Sequence, residues 1–167
     1  MFEPPAKLET TVFARLPEEF KLKPGVTIDW VRGLPVGMQA RSLLEGPSFD
    51  RNGTLSCVDL VTGRIYTVDE RGEFDIVAEY DGWPNGLKIH QDGRIFSADY
   101  TNGIMLLDPV SKKVRPYLER ANLERFKAVN DLFFAANGDL FFTDQGLTGL
   151  HDPTGRVFRL ANDGKLT

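Results

Sequence analysis

Glu45-Gly46-Pro47-Ser48-Phe49-Asp50-Arg51-Asn52-Gly53-Thr54-Leu55, running on to Asp59, decides the fold, because the chain repeats its pattern three times. Asn52-Gly53, Asp92-Gly93 and Asn137-Gly138 are each a hairpin-turn signal between two apolar runs. Six residues after each turn glycine stands an aspartate, Asp59, Asp99 and Asp144. Eight residues before it stands a polar residue, Glu45, Asn85 and Asn130. The glycines are 40 and 45 residues apart, the length of a four-stranded propeller blade. The expected fold is all-β, a β-propeller, with about three blades in this chain.

Working outward, a second register agrees: Gly63 and Gly103 each lie four residues past the aspartate of their own copy. Strands are expected over 48–50, 54–59, 63–69 and 74–80 in the first copy, and over 87–90, 94–99, 103–108 and 113–117 in the second. In the third, 132–135, 139–144 and 157–161 follow, but Gly155 comes eleven residues after Asp144. The extra residues within 145–154 are a candidate lid or pocket wall. Upstream, 11–16 reads as a short strand able to pair with the last blade of a ring, and 26–32 and 39–44 as outer strands. Residues 118–128 alone have helix-forming composition, enough for a turn or two of helix. The chain thus reads as one partial propeller domain over 1–167: N-terminal strands over 1–44, then repeats over 45–84, 85–129 and 130–167, the last incomplete.

A length of 167 residues, 41% of them hydrophobic with no long apolar run, is enough to bury a core and does not suggest a membrane span. A net charge of −4, with 20 scattered basic residues, argues against nucleic-acid and anionic-membrane partners. The single Cys57 excludes an intramolecular disulfide and reads as a buried core residue, and two histidines with it cannot build a structural zinc site. The N-terminus lacks the basic and apolar regions of a secretory signal, so the expected location is cytoplasmic. Asp50, Asp92, Asp108 and Asp163 read as turn caps. His90 and His151 fall outside the repeated polar position and read as structural or surface residues. Trp83 reads equally well as a pocket wall and as a blade-packing aromatic.

The chemistry is expected where the repeat returns polar groups. The first strand of a blade is innermost and hairpins into the second, so its start and the end of the second strand open on one face. Glu45, Asn85, Asn130, Asp59, Asp99 and Asp144 are therefore all expected at one mouth of the central channel. Oxygen-only groups suit a hard divalent cation, calcium above all because it accepts carboxamide oxygens and irregular geometry. Polar residues that merely cap strand entries around a solvated channel would satisfy the same spacing, and spacing alone leaves both readings open.

Glu45-Gly46-Pro47 at a strand entry, Trp83-Pro84-Asn85-Gly86-Leu87, and Val129-Asn130-Asp131-Leu132 followed by Asp139-Leu140-Phe141-Phe142-Thr143-Asp144 resemble the gluconolactonase/regucalcin (senescence marker protein) family. The resemblance runs over about residues 40–167. It implies a six-bladed propeller that holds one divalent metal and hydrolyses sugar lactones or related esters, and it makes this chain the N-terminal half of such a protein. It implies Glu45 and Asn130 as metal ligands and Asn85 as a substrate contact near the metal. The remaining ligand and catalytic base, an aspartate of a later blade, would lie beyond Thr167. Calcium is the implied metal, with zinc, magnesium or manganese as alternatives, and a small lactone the implied partner. Asp144 is a candidate to support a metal-bound water. A non-catalytic propeller scaffold, and an esterase or phosphotriesterase using the same metal, are the rival readings. Three blades cannot close a ring sized for six, so the isolated chain is expected to self-associate through open blade edges or to aggregate.

Overall fold

The computed structural model describes residues 5–108, 110–147 and 149–167. Hairpin chemistry builds it: Gly53, Gly93 and Gly138 sit at φ of 84°, 89° and 85°, the left-handed region that glycine enters without steric cost. On either side of these turns the apolar runs pair as antiparallel sheets. The first sheet is β1 (Leu44–Phe49), β2 (Leu55–Asp59), β3 (Arg64–Val68) and β4 (Phe74–Glu79), in that order. The second is β5 (Pro84–Ile89), β6 (Ile95–Asp99), β7 (Gly103–Leu107) and β8 (Val114–Leu118). A small hairpin of β9 (Arg120–Ala121) and β10 (Glu124–Arg125) leads to the third sheet, β11 (Val129–Phe134), β12 (Leu140–Asp144) and β13 (Arg156–Leu160). These are two full propeller blades and a three-stranded one, with β1 packed on β5 and β5 on β11 as the inner strands.

Each blade buries its faces against its neighbour. Val58, Ile65 and Ala78 of the first blade meet Leu87 and Leu107 of the second. Phe96, Ala98, Ile104 and Leu106 of the second meet Leu132, Leu140, Phe142 and Phe158 of the third. Phe126, just ahead of β11, closes this core, its ring 5.1 Å from those of both Phe142 and Phe158. Apolar burial on this scale is the dominant stabilising term in a sheet-on-sheet stack. Cys57 is buried as expected, and burial together with the nearby Asp59 charge pushes its thiol up to about 11.

Four sequence expectations change. No described residue from 5 to 43 lies in a strand. Residues 11–16 run alongside the first blade, and Leu16 and Phe20 cover Cys57 and Tyr66 on its outer face. Where an outer strand was expected over 26–32, a one-turn helix α1 (Asp29–Arg32) forms, with Val31 buried beneath it. The helix expected within 118–128 is the β9–β10 hairpin, with Asn122 at φ 55° in its turn. Local propensity there gives way to the placement of Phe126 in the core. Finally, the inner strands begin earlier than expected and contain Glu45, Asn85 and Asn130 instead of following them.

Candidate active site at the mouth of the inner strands

The three inner strands carry the same irregularity at the same place. Their pairing with the second strand shifts register between Glu45 and Ser48, between Pro84 and Gly86, and between Val129 and Leu132. A bulge adds a residue to one strand, bends it and re-aims side chains. Here it falls on or beside the repeated polar residue, and Glu45, Asn85 and Asn130 all line one cavity of about 570 Å³.

Close nesting of the inner strands makes this convergence possible. A Cβ on Gly46 would lie 2.3 Å from the Leu87 nitrogen and 2.8 Å from the Gly86 carbonyl carbon. A Cβ on Gly86 would lie 2.6 Å from Asp131 Oδ1 and 3.0 Å from the Asn130 oxygen. The residue after each of the first two site residues is thus glycine because the next blade's backbone occupies the space a side chain would need.

Asp59, Asp99 and Asp144 end the second strands at the same mouth, paired with Leu44, Pro84 and Val129. They do not line the cavity. All three are buried and turn into the blade to collect backbone N–H groups. Asp59 Oδ1 accepts from Leu43 and Val61 at 2.9 and 3.0 Å. Asp144 Oδ1 accepts from Ala128 and Gly146, and Oδ2 from Lys127, each at 2.9 Å. Asp99 Oδ1 accepts from the Thr101 and Asn102 backbones and the Thr101 hydroxyl. Backbone donors thus satisfy both oxygens of Asp144 and one oxygen each of Asp59 and Asp99, whose Oδ2 atoms are buried with no hydrogen-bond partner among the described residues. Asp59 and Asp144 thereby fix the two residues that lead into Glu45 and Asn130.

A third repeated bond completes the frame. The residue after each aspartate donates its N–H to the residue two before the site residue: Leu60 to Leu43 at 3.0 Å, Tyr100 to Trp83 at 3.0 Å and Gln145 to Ala128 at 3.1 Å. Four of these six residues, Leu43, Trp83, Tyr100 and Gln145, line the cavity, and sequence reasoning overlooked all but Trp83. The signal was available as two fixed offsets, two residues before the polar residue and one after the aspartate. Asp29, Trp30, Gly33 and Leu34 of the α1 segment and Leu147 complete the wall, so Gln145 and Leu147 are the described residues of 145–154 that line it.

The side chains of Glu45, Asn85 and Asn130 make no hydrogen bond or ion pair with another described residue. Three half-buried polar groups left free beside one cavity are suited to an outside partner. Among the described residues no three His, Cys, Asp or Glu side chains converge, so the donor set is one carboxylate and two carboxamide oxygens. Such oxygens fit a hard divalent cation and are poor ligands for a soft one. The two histidines take other places. His90 is held by Asp92 at 2.8 Å and packs edge-on to Phe134, and His151 is exposed.

The SMP-30/gluconolactonase/LRE-like family model matches residues 43–167, three quarters of the chain and all three blades. The chain belongs to this family. It is 40% identical over 91 residues to the gluconolactonase of Zymomonas mobilis, an alignment covering 49% of this chain and 26% of that protein. It is 30% identical over 142 residues to lactonase drp35 of Staphylococcus aureus, covering 80% and 41% respectively. A solved gluconolactonase from Xanthomonas campestris superposes with a TM-score of 0.66 at 27% identity, over 75% of this chain and 46% of that one. The chain therefore spans less than half the length of each of these relatives.

Proposed function

We propose that the protein carrying this chain is a metal-dependent lactone hydrolase acting on sugar lactones or closely related esters. The observation that supports this reading is the convergence of Glu45, Asn85 and Asn130, all unpaired, in one cavity of a family member whose relatives are named gluconolactonase and lactonase. Glu45 and Asn130 would hold one divalent cation, calcium by preference because carboxamide oxygens and irregular geometry suit it. When bound, the cation supplies Lewis-acid polarisation of the lactone carbonyl and charge to offset the developing oxyanion.

The remaining contributions come from this chain's own groups. Asn85 can donate from its amide to a substrate oxygen and so fix the lactone beside the metal ligands. The Asp144 carboxylate, engaged by Lys127 and Ala128, acts through the backbone by holding Asn130 in place. α1 and Leu147 contribute to the wall of the cavity beside these groups. Asp29, the other carboxylate in the wall, is paired with Arg32 at 2.6 Å. The base that deprotonates water is assigned to an aspartate of a later blade, as the family resemblance implies.

A rate measurement on the full-length protein with a panel of aldonolactones, with and without chelator, tests the proposal. Turnover abolished by chelator and restored by calcium is expected. Turnover indifferent to chelator would overturn the metal role, and no turnover of any lactone would favour a binding scaffold.

A further inference from the structure

Blade 2 contributes more of the cavity wall than its asparagine. Trp83 and Tyr100 occupy the two offset positions flanking Asn85, and their rings stand 6.1 Å apart at 43°. Neither belongs to a hydrophobic core between blades, although Trp83 could equally have been a blade-packing aromatic on sequence alone. Both are half-buried and line the cavity. The Tyr100 N–H to Trp83 carbonyl bond fixes the backbones that carry them. Aromatic groups set on paired strand ends are placed more rigidly than groups on a free loop.

The corresponding positions of the other blades carry Leu43 and Leu60 in the first and Ala128 and Gln145 in the third. The aromatic pair is therefore confined to one side of the cavity, beside the residue assigned to substrate. Burial pushes the Tyr100 phenol up. The phenol stays protonated at physiological pH, able to donate to or accept from a neutral hydroxyl. Among the described residues the wall holds no Lys, Arg or His; its formal charges are the carboxylates Glu45 and Asp29.

We infer that Trp83 and Tyr100 form a specificity subsite that takes the carbon–hydrogen face of a sugar lactone ring beside Asn85. Sugar rings present apolar C–H faces between their hydroxyls, and an indole face covers such a surface while excluding water. This inference rests on the lactonase reading for the identity of the ligand, and the test separates the two.

The probe is D-glucono-1,5-lactam, a neutral ring that resists hydrolysis, titrated calorimetrically into the full-length protein. Trp83→Ala should weaken the neutral lactam about tenfold, and Trp83→Phe should recover most of that loss because the aromatic face returns. In kinetics Trp83→Ala should raise KM for glucono-1,5-lactone and leave kcat within about threefold, the pattern of lost uniform binding. Unchanged lactam binding by Trp83→Ala, or no recovery with phenylalanine, would overturn the subsite. Lactam binding that depends on Trp83 in a protein that hydrolyses no lactone would retain the subsite and overturn the lactonase reading.

Discussion

Gly86 of β5 lies against Asp131 of β11 so closely that a Cβ on the glycine would come within 2.9 Å of the aspartate's Cα. Backbone cannot rotate away as a side chain can, so the contact fixes how near Asn85 and Asn130 stand. Gly86→Ala should force the second and third blades apart and destabilise the protein by about 1–3 kcal/mol, the usual cost of overpacking. Gly93→Ala is the matched control. It sits at φ 89° with open space around it, so it should lose only the left-handed penalty of about 1–2 kcal/mol and leave ligand binding unchanged. Denaturant melts of both variants, followed by calcium titration, check this. A Gly86→Ala protein with wild-type calcium affinity would show that the nesting does not set the site.

Asp144→Asn replaces one of two oxygens that receive three N–H groups with an NH₂ that can only donate. Whichever way the amide turns, a buried backbone N–H loses its acceptor, at a cost of about 1–3 kcal/mol. Calcium affinity should fall as well, because Lys127 and Ala128 lead directly into Asn130. Asp75→Asn, at an exposed position of β4, should change stability by no more than about 0.5 kcal/mol. Thermal unfolding and calorimetric titration of the two variants side by side measure the contrast.

How far the sequence carried the reading follows from these residues. Three site positions were legible because a hairpin glycine fixes the register of everything within one blade, and Glu45, Asn85 and Asn130 stand at one offset from it. The inward turn of Asp59, Asp99 and Asp144 was not, because a carboxylate at a strand end looks alike whether it faces solvent or caps a backbone. α1 was missed because one helical turn in a Pro-rich segment has no periodicity to detect, and Val31 is held by packing. The 120–125 segment reads as helix because Leu, Glu, Arg and Lys favour helices, while tertiary placement of Phe126 in the core selects the hairpin.

The roles assigned to the site divide along its chemistry. Glu45→Gln removes the carboxylate assigned to the metal and should weaken calcium binding about a hundredfold or more. Asn85→Ala should leave calcium binding nearly intact and raise the lactone KM about tenfold. Calorimetry with calcium alone distinguishes them; equal losses of metal affinity in the two variants would show that ligand and substrate contact are wrongly divided.

Cys57 gives a pH signature. Its folded thiol is raised to about 11 by burial and the Asp59 charge, against about 8.5 in an unfolded chain. The folded state therefore binds the proton more tightly, so this contribution to stability is full below about pH 8.5 and lost as pH climbs toward 11. Cys57→Ala should flatten part of the alkaline fall in Tm over that window. In the wild type at pH 8 the thiol should react with a maleimide only on unfolding; rapid labelling of the native protein would contradict its burial.

The outer face of the third blade bears on how the 167-residue polypeptide behaves in isolation. Phe133 pairs with Phe141, and Thr143 with Val157, so strand alternation puts Phe133, Phe141 and Val157 on one face of the sheet. They are 63%, 38% and 70% exposed, whereas the opposite face of the same strands is buried against blade 2. A blade face of this kind is stabilised by a neighbour, and three blades do not close upon themselves. The isolated polypeptide should self-associate as its concentration rises, and the double substitution Phe133→Lys, Val157→Lys should shift it toward monomer by placing like charges on that face. Light scattering coupled to size-exclusion chromatography reads both outcomes. A wild-type polypeptide that stays monomeric and unfolds cooperatively would show that two blade interfaces suffice without a third.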